Sequence, residues 1–180
     1  MIWIDVWGYF TCARLCIEMN DETKTPVVYM ICGFIGAGKT TFAKKLEKET
    51  GAIRITKDEW LIKLFGHNPL IDRFEEYDEK ICELSNDIAF QFVERGVDVI
   101  IDDGFWVKSQ RKEMRERIMR SGAKAVLYYV GCPMETMKKR VVGRNKNLSK
   151  DSFDVSESVF GSYVKYWEPP SDDEDYVLVE

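Results

Sequence analysis

The sequence predicts a three-layer α/β/α fold, a five-stranded parallel sheet with helices on both faces. Three observations predict it. Short apolar runs alternate along the chain with segments of helical periodicity, the pattern of a parallel sheet with crossover helices. A glycine-rich stretch, Gly33-Phe34-Ile35-Gly36-Ala37-Gly38-Lys39-Thr40, fits G-x-x-x-x-G-K-[ST] between the first run and the first helical segment. Two acids, Asp58 and Asp102, follow the second and third apolar runs, at the carboxyl ends where ligands bind in such sheets.

Each element has a local reason. Val27–Cys32 is an uninterrupted apolar run and reads as a buried first strand. Residues 41–49 follow the glycine stretch as a helix, with Phe42, Ala43 and Leu46 on one face, and Thr50-Gly51 ends it. Residues 52–55 form a short second strand, and residues 56–65 a short helix stopped by Gly66. His67-Asn68-Pro69 is a loop. Residues 72–95 carry Ile81, Leu84, Ile88, Phe92 and Val93 at helical spacing, and Gly96 caps them. Residues 97–102 are the third strand, broken at Gly104. Residues 108–120 are a charged helix, 123–130 a fourth strand, and Pro133 opens a helix to about residue 144. A last helix spans about 154–167 before Pro169-Pro170, and 176–179 is the fifth strand.

Residues 1–24 do not resemble the start of such a domain. They read as a peripheral, dispensable extension joined by a polar linker, with the domain itself over 25–180. The extension is a poor secretory signal, because Asp5 interrupts its apolar run and no basic start precedes it. No apolar run reaches the ~18 residues of a spanning helix. The five cysteines, Cys12, Cys16, Cys32, Cys82 and Cys132, are odd in number and form no C-x-x-C. They suit reduced thiols in a cytoplasmic protein, not a disulfide framework or a structural zinc site. A net charge of −5 argues against holding long nucleic acid by charge.

The glycine stretch carries the chemistry. Gly33, Gly36 and Gly38 let the backbone turn tightly, so that its N–H groups, those of Ala37, Thr40 and Thr41 among them, approach phosphate oxygens. Lys39 stands where an ammonium reaches the β- and γ-phosphates, and the Thr40 hydroxyl where it can ligate Mg²⁺. The helix after it points its positive end at the anion.

Three further positions complete a candidate site. Asp102, directly after the apolar run, is the expected partner of Mg²⁺; Asp103 competes, and adjacent strand residues point opposite ways. Asp58 stands where a carboxylate could orient a hydroxyl acceptor and take its proton. The alternative is a helix start, since Thr56-x-x-Glu59 spells a capping box. Arg140 and Arg144, four apart on one helix face, could neutralise charge developing on a transferred phosphoryl group. The polar stretch after Gly143 could close as a loop. His67, the acids Glu75, Glu76, Asp78 and Glu79 with Arg73, and the run Asp172 to Asp175 read as solvated surface. Trp60, Phe65 and Trp106 are candidates for a pocket wall or for core.

Taken together, these stretches resemble the P-loop NTPase small-molecule kinases near the zeta toxins, the chloramphenicol phosphotransferases and the polynucleotide 5′-kinases, often labelled AAA-type ATP-binding proteins. The resemblance covers residues 27–180. It rests on Gly33 to Thr41, on Ile55-Thr56-Lys57-Asp58-Glu59, on Val99-Ile100-Ile101-Asp102 and on Arg140-Val141-Val142-Gly143-Arg144. It implies an adenylate-kinase-like strand order 2-3-1-4-5, ATP with Mg²⁺ as cofactors, Asp58 as base, and Arg140 or Arg144 as the lid arginine. The tail from Trp167 to Glu174 looks like the family's closing motif near adenine. The polynucleotide kinases carry an arginine three residues after the catalytic acid, where this sequence has Leu61.

The expectation is therefore an ATP-dependent kinase for a small-molecule hydroxyl, monomeric or homodimeric, with neither nucleic acid nor membrane as partner. The alternatives are a nucleotide-dependent regulatory switch and a polynucleotide 5′-hydroxyl kinase. A guanine-reading N/T-K-x-D after a late strand is absent.

Overall fold

A computed structural model describes residues 24–68, 72–145 and 152–180. The predicted extension, with Cys12 and Cys16, and the polar stretch after Asn145 fall almost wholly outside the described residues. The elements are β1 (Val27–Cys32), α1 (Lys39–Thr50), β2 (Ile53–Ile55), α2 (Lys57–Phe65), α3 (Phe74–Val93) and β3 (Val99–Gly104). There follow α4 (Lys108–Arg120), β4 (Lys124–Val130), α5 (Met134–Arg144), α6 (Glu157–Val164) and β5 (Val177–Val179). The sheet order is β2-β3-β1-β4-β5, with every pairing parallel. The predicted three-layer fold and strand order are thus observed.

Alternation within the central strands builds two cores. Val28, Met30 and Cys32 of β1, with Val99 and Ile101 of β3, face Ala89, Phe90 and Val93 of α3 and Ile118 of α4. Ile31 and Ile100 face the other way, toward Ala43 and Leu46 of α1, Met137 and Val141 of α5 and Phe160 of α6. Burial on both faces explains why these strands read as continuous apolar runs. No helix among the described residues is long and apolar enough to cross a membrane.

Two boundaries differ from expectation. Gly104 lies inside β3, not beyond it: at φ +94° it accepts a hydrogen bond from the Gly33 N–H (3.0 Å), tying the glycine loop to the strand. The last helix is shorter than 154–167, because the Ser156 side chain caps its start by accepting from the Val159 N–H at 3.3 Å.

Candidate active site

The loop between β1 and α1 is held from both sides. Phe34 is fully buried, against Trp106, Phe160 and Trp167 at centroid distances of 5.1, 5.2 and 5.7 Å. At Gly36, φ is +81° and a Cβ would lie 2.6 Å from the Met137 carbonyl oxygen, so only glycine fits against α5. Gly38 caps α1 at φ +107° without a side-chain hydrogen bond, leaving the first N–H groups of the helix for an anion. Lys39 folds back over the loop, its Nζ 3.1 Å from the Phe34 carbonyl oxygen. Burial pulls its pKa down, while Asp102 and Asp58 oppose that shift.

The two acids ending β3 part company, as their alternation requires. Asp102 is 4% exposed; it accepts a hydrogen bond from the Thr40 hydroxyl and lies 3.6 Å from Arg54. Burial raises its pKa, against the pull of Lys39 and Arg54. Its Oδ2 is buried without a hydrogen-bond partner. Asp103 opens instead into the cleft, paired with Lys57 at 3.0 Å. A buried carboxylate beside a threonine hydroxyl, its Oδ2 ion-paired to Arg54 at 3.6 Å but not hydrogen-bonded, fits a Mg²⁺ site that takes its other ligands from phosphate and water. Among the described residues, no cluster of three or more His, Cys, Asp or Glu could hold a metal by itself.

Asp58 stands in the first turn of α2 and lines the same cleft, a cavity of about 960 Å³, as Gly36, Gly38, Lys39, Thr40 and Thr41. The cleft walls desolvate its half-buried carboxyl and push its pKa up to about 6, although Lys57 and Lys39 pull it down. The capping box is not formed. Thr56 makes no side-chain cap, and Glu59 pairs instead with Arg54 at 2.7 Å and Lys44 at 3.8 Å. Arginine beside Glu59 outcompetes a backbone N–H, because charge-assisted hydrogen bonds are stronger. Asp58 keeps its place in the first turn of α2, where its charge also favours the helix N-terminus.

Arg140 and Arg144 both line the cleft but do different things. Arg140 is exposed and donates to the carbonyls of Gly36 (3.4 Å) and Ala37 (3.3 Å), over the back of the loop. Arg144 is half-buried, feels the Asp58 charge, and leaves its Nε buried without a partner.

Several residues were read differently from sequence. Asp78 is not part of a solvated face: it pairs with Lys57 at 2.9 Å and, with Glu79, lines the cleft. Burial alone would lower the Lys57 pKa; Asp103 and Asp78 outweigh it and hold the ammonium well above its ordinary value. Glu174, expected in a solvated loop, binds the buried Arg111. His67 is tied to the cleft rim, its Nδ1 2.7 Å from the Ser152 carbonyl oxygen. Of the three aromatic candidates, Trp106 lines the cleft, Trp60 packs on the core and Phe65 stacks on Tyr77. Arg54, Lys57 and Arg111 were not singled out. The only sequence signal for Lys57 was its place beside Asp58.

A family model described as an AAA domain matches residues 28–170. The chain is 24% identical over 154 residues to UMP-CMP kinase 3 of Arabidopsis thaliana, covering 81% of this chain and 75% of that protein. A gluconokinase of Sinorhizobium meliloti superposes with a TM-score of 0.58 at 15% identity, over 87% of this chain and 83% of that one. A chain of the Pnkp1/Rnl/Hen1 RNA repair complex superposes with a TM-score of 0.64 at 22% identity. The match covers 82% of this chain but only 45% of that one, so this chain spans less than half its length. At these identities the structural likenesses speak to fold alone.

Proposed function

The chain belongs to the AAA domain family and has the sheet order of the P-loop kinases, and from that premise we propose that it is an ATP-dependent kinase transferring the γ-phosphate of ATP to a hydroxyl of a small molecule. One observation carries the reading. Asp58 opens into the cleft that the glycine loop also lines, and it is electrostatically coupled to Lys39 and Arg144.

In this reading the loop N–H groups and Lys39 hold the β- and γ-phosphates. Asp58 accepts the hydrogen bond of the acceptor hydroxyl and takes its proton as the acceptor oxygen bonds to the γ-phosphorus. The bond from that phosphorus to the bridging oxygen of ADP breaks, and ADP leaves with its electron pair. A pKa near 6 keeps Asp58 ionised at neutral pH while leaving it a competent base. Arg144, with an unused buried Nε, meets charge on the transferred group, and Arg140 steadies the loop. Mg²⁺ bound with ATP would screen phosphate charge; Thr40 and Asp102 are the residues that would hold it.

The test is a panel of hydroxyl compounds with labelled ATP, covering aminoglycosides, chloramphenicol, nucleosides, nucleotide sugars and 5′-hydroxyl oligonucleotides, with UMP and CMP as phosphate acceptors. Transfer to a hydroxyl, lost in Asp58→Asn while ATP still binds, is the expected result. Transfer to UMP or CMP alone would replace the hydroxyl with a phosphate acceptor.

A further inference from the structure

The charges lining the cleft are segregated, and the topology segregates them. Lys39 and Lys44 stand on α1, after β1; Arg140 and Arg144 stand on α5, after β4. These four cations surround the glycine loop, where a triphosphate would occupy them. The acids stand on the elements that follow and end the β2 and β3 side of the sheet. Asp58 is in the first turn of α2, Asp103 nearly ends β3, and Asp78, Glu79 and Glu83 of α3 line the same cleft. Among the described residues, Lys57 engages Asp78 and Asp103, and Lys39 and Arg144 act on Asp58, which leaves the carboxylates of Glu79 and Glu83.

Two further features point to a ligand here. Glu79 and Glu83 have no ion-pair partner among the described residues, and both face the cleft rim. The cleft lining is also aromatic, with Trp106 and Tyr163 in an edge contact at 5.6 Å and Phe74, at the start of α3, against Phe153 at 5.8 Å.

We propose that the hydroxyl acceptor carries a positive charge, as an amino alcohol or amino sugar does, with its ammonium held by the α3 carboxylates Glu79 and Glu83 and the aromatic side chains that line the same cleft. This deepens the kinase reading and rests on it. The cleft is a site because the glycine loop and Asp58 open into it; the α3 face sets the chemistry it takes. Carboxylates with aromatic faces form a cation-binding combination. The same lining opposes an anionic acceptor. A nucleoside monophosphate or an RNA end would bring its phosphate toward Glu79 and Glu83, the two cleft carboxylates without an ion partner among the described residues.

The experiment separates binding from transfer with matched pairs: glucosamine against glucose, and ethanolamine against ethylene glycol, with gluconate and UMP as anions. Calorimetry in the presence of a non-hydrolysable ATP analogue reads the acceptor preference. The amine of each pair is expected to bind at least tenfold more tightly than its neutral partner, and less so as salt rises. Glu79→Gln with Glu83→Gln should collapse that preference, and Glu83→Lys should turn it toward gluconate. Equal binding within each pair, or preferred anions, would overturn the inference and leave the kinase reading intact. Amines that bind preferentially but receive no phosphate from labelled ATP would sustain the charge preference and overturn the kinase reading.

Discussion

Arg111 and Glu174 form a bidentate ion pair, Nε to Oε2 at 2.7 Å and the second guanidinium nitrogen to Oε1 at 2.8 Å, with the arginine side chain 2% exposed. The same guanidinium donates to the carbonyls of Phe105 (3.0 Å), Trp106 (3.2 Å) and Glu168 (2.8 Å). One side chain thus fixes the turn after β3, whose Trp106 packs on the glycine loop, to the segment leading into β5. Breaking a buried pair strands the other charge and costs about 3–5 kcal/mol. Arg111→Met is expected to lower the melting temperature by roughly 6–20 °C for a domain of this size. Arg111 holds the Glu174 pKa down, so this stability is present above the ordinary glutamate pKa and is lost as pH falls through the depressed value. Thermal melts of both proteins from pH 7 to pH 3 should therefore converge; a constant gap would refute the ion-pair account.

Gly36→Ala should disable the loop without unfolding the sheet. The new Cβ would sit 2.6 Å from the Met137 carbonyl oxygen and 2.8 Å from a Val141 methyl, at a backbone φ of +81°. Overpacking of this kind costs about 1–3 kcal/mol, and here the loop can escape only by leaving α5. Nucleotide titration should show at least tenfold weaker binding, with far-ultraviolet circular dichroism unchanged. Unchanged nucleotide affinity would show that the loop can move without cost.

The fold was legible because its elements are marked locally. β1, β3 and β4 are apolar runs bounded by glycine, and α4 begins and ends at the residues its charge pattern indicates. The glycine loop was legible for the same reason: its function is written in consecutive residues. What sequence did not reveal depends on partners far along the chain. Glu174 looks like one more acid in an acidic run until Arg111, 63 residues earlier, is brought against it. Thr56 and Glu59 spell a capping box, but the fold offers Glu59 an arginine on β2 instead. Asp78 resembles its exposed neighbours on α3 until Lys57 arrives across the helix pair. Strand alternation says that only one of Asp102 and Asp103 can face a metal, and the place of Asp102 directly after the apolar run favours it, but their separate surroundings are not written in the sequence.

Asp102 and Thr40 should act together on the divalent cation. Their side chains are hydrogen-bonded, and the other Asp102 oxygen is buried without a hydrogen bond, 3.6 Å from Arg54. Asp102→Asn and Thr40→Ala are each expected to weaken Mg²⁺-dependent ADP binding about tenfold or more. The readout is the Mg²⁺ concentration that produces half of the ADP-induced thermal shift. Were it unmoved in Asp102→Asn, the neighbouring Asp103 would be the acid to test next.

Asp58 gives opposite signs for activity and stability. Its pKa is raised from 3.8 to about 6, first because the cleft walls desolvate it. The folded protein therefore binds this proton more tightly than the unfolded chain, and stability falls as pH rises from about 4 to about 6. Above pH 6 the ionised carboxylate is a net burden on the fold and, in the proposed mechanism, the working base. Asp58→Asn should accordingly abolish phosphoryl transfer yet raise the melting temperature at pH 7.5, a gain that shrinks toward zero near pH 4. In the wild type, kcat/KM should fall below an acid limb near pH 6, where the base becomes protonated. A variant that loses transfer and also loses stability at pH 7.5 would mean that the Lys39, Lys57 and Arg144 charges outweigh desolvation, and that Asp58 is held by its ion partners as a structural carboxylate.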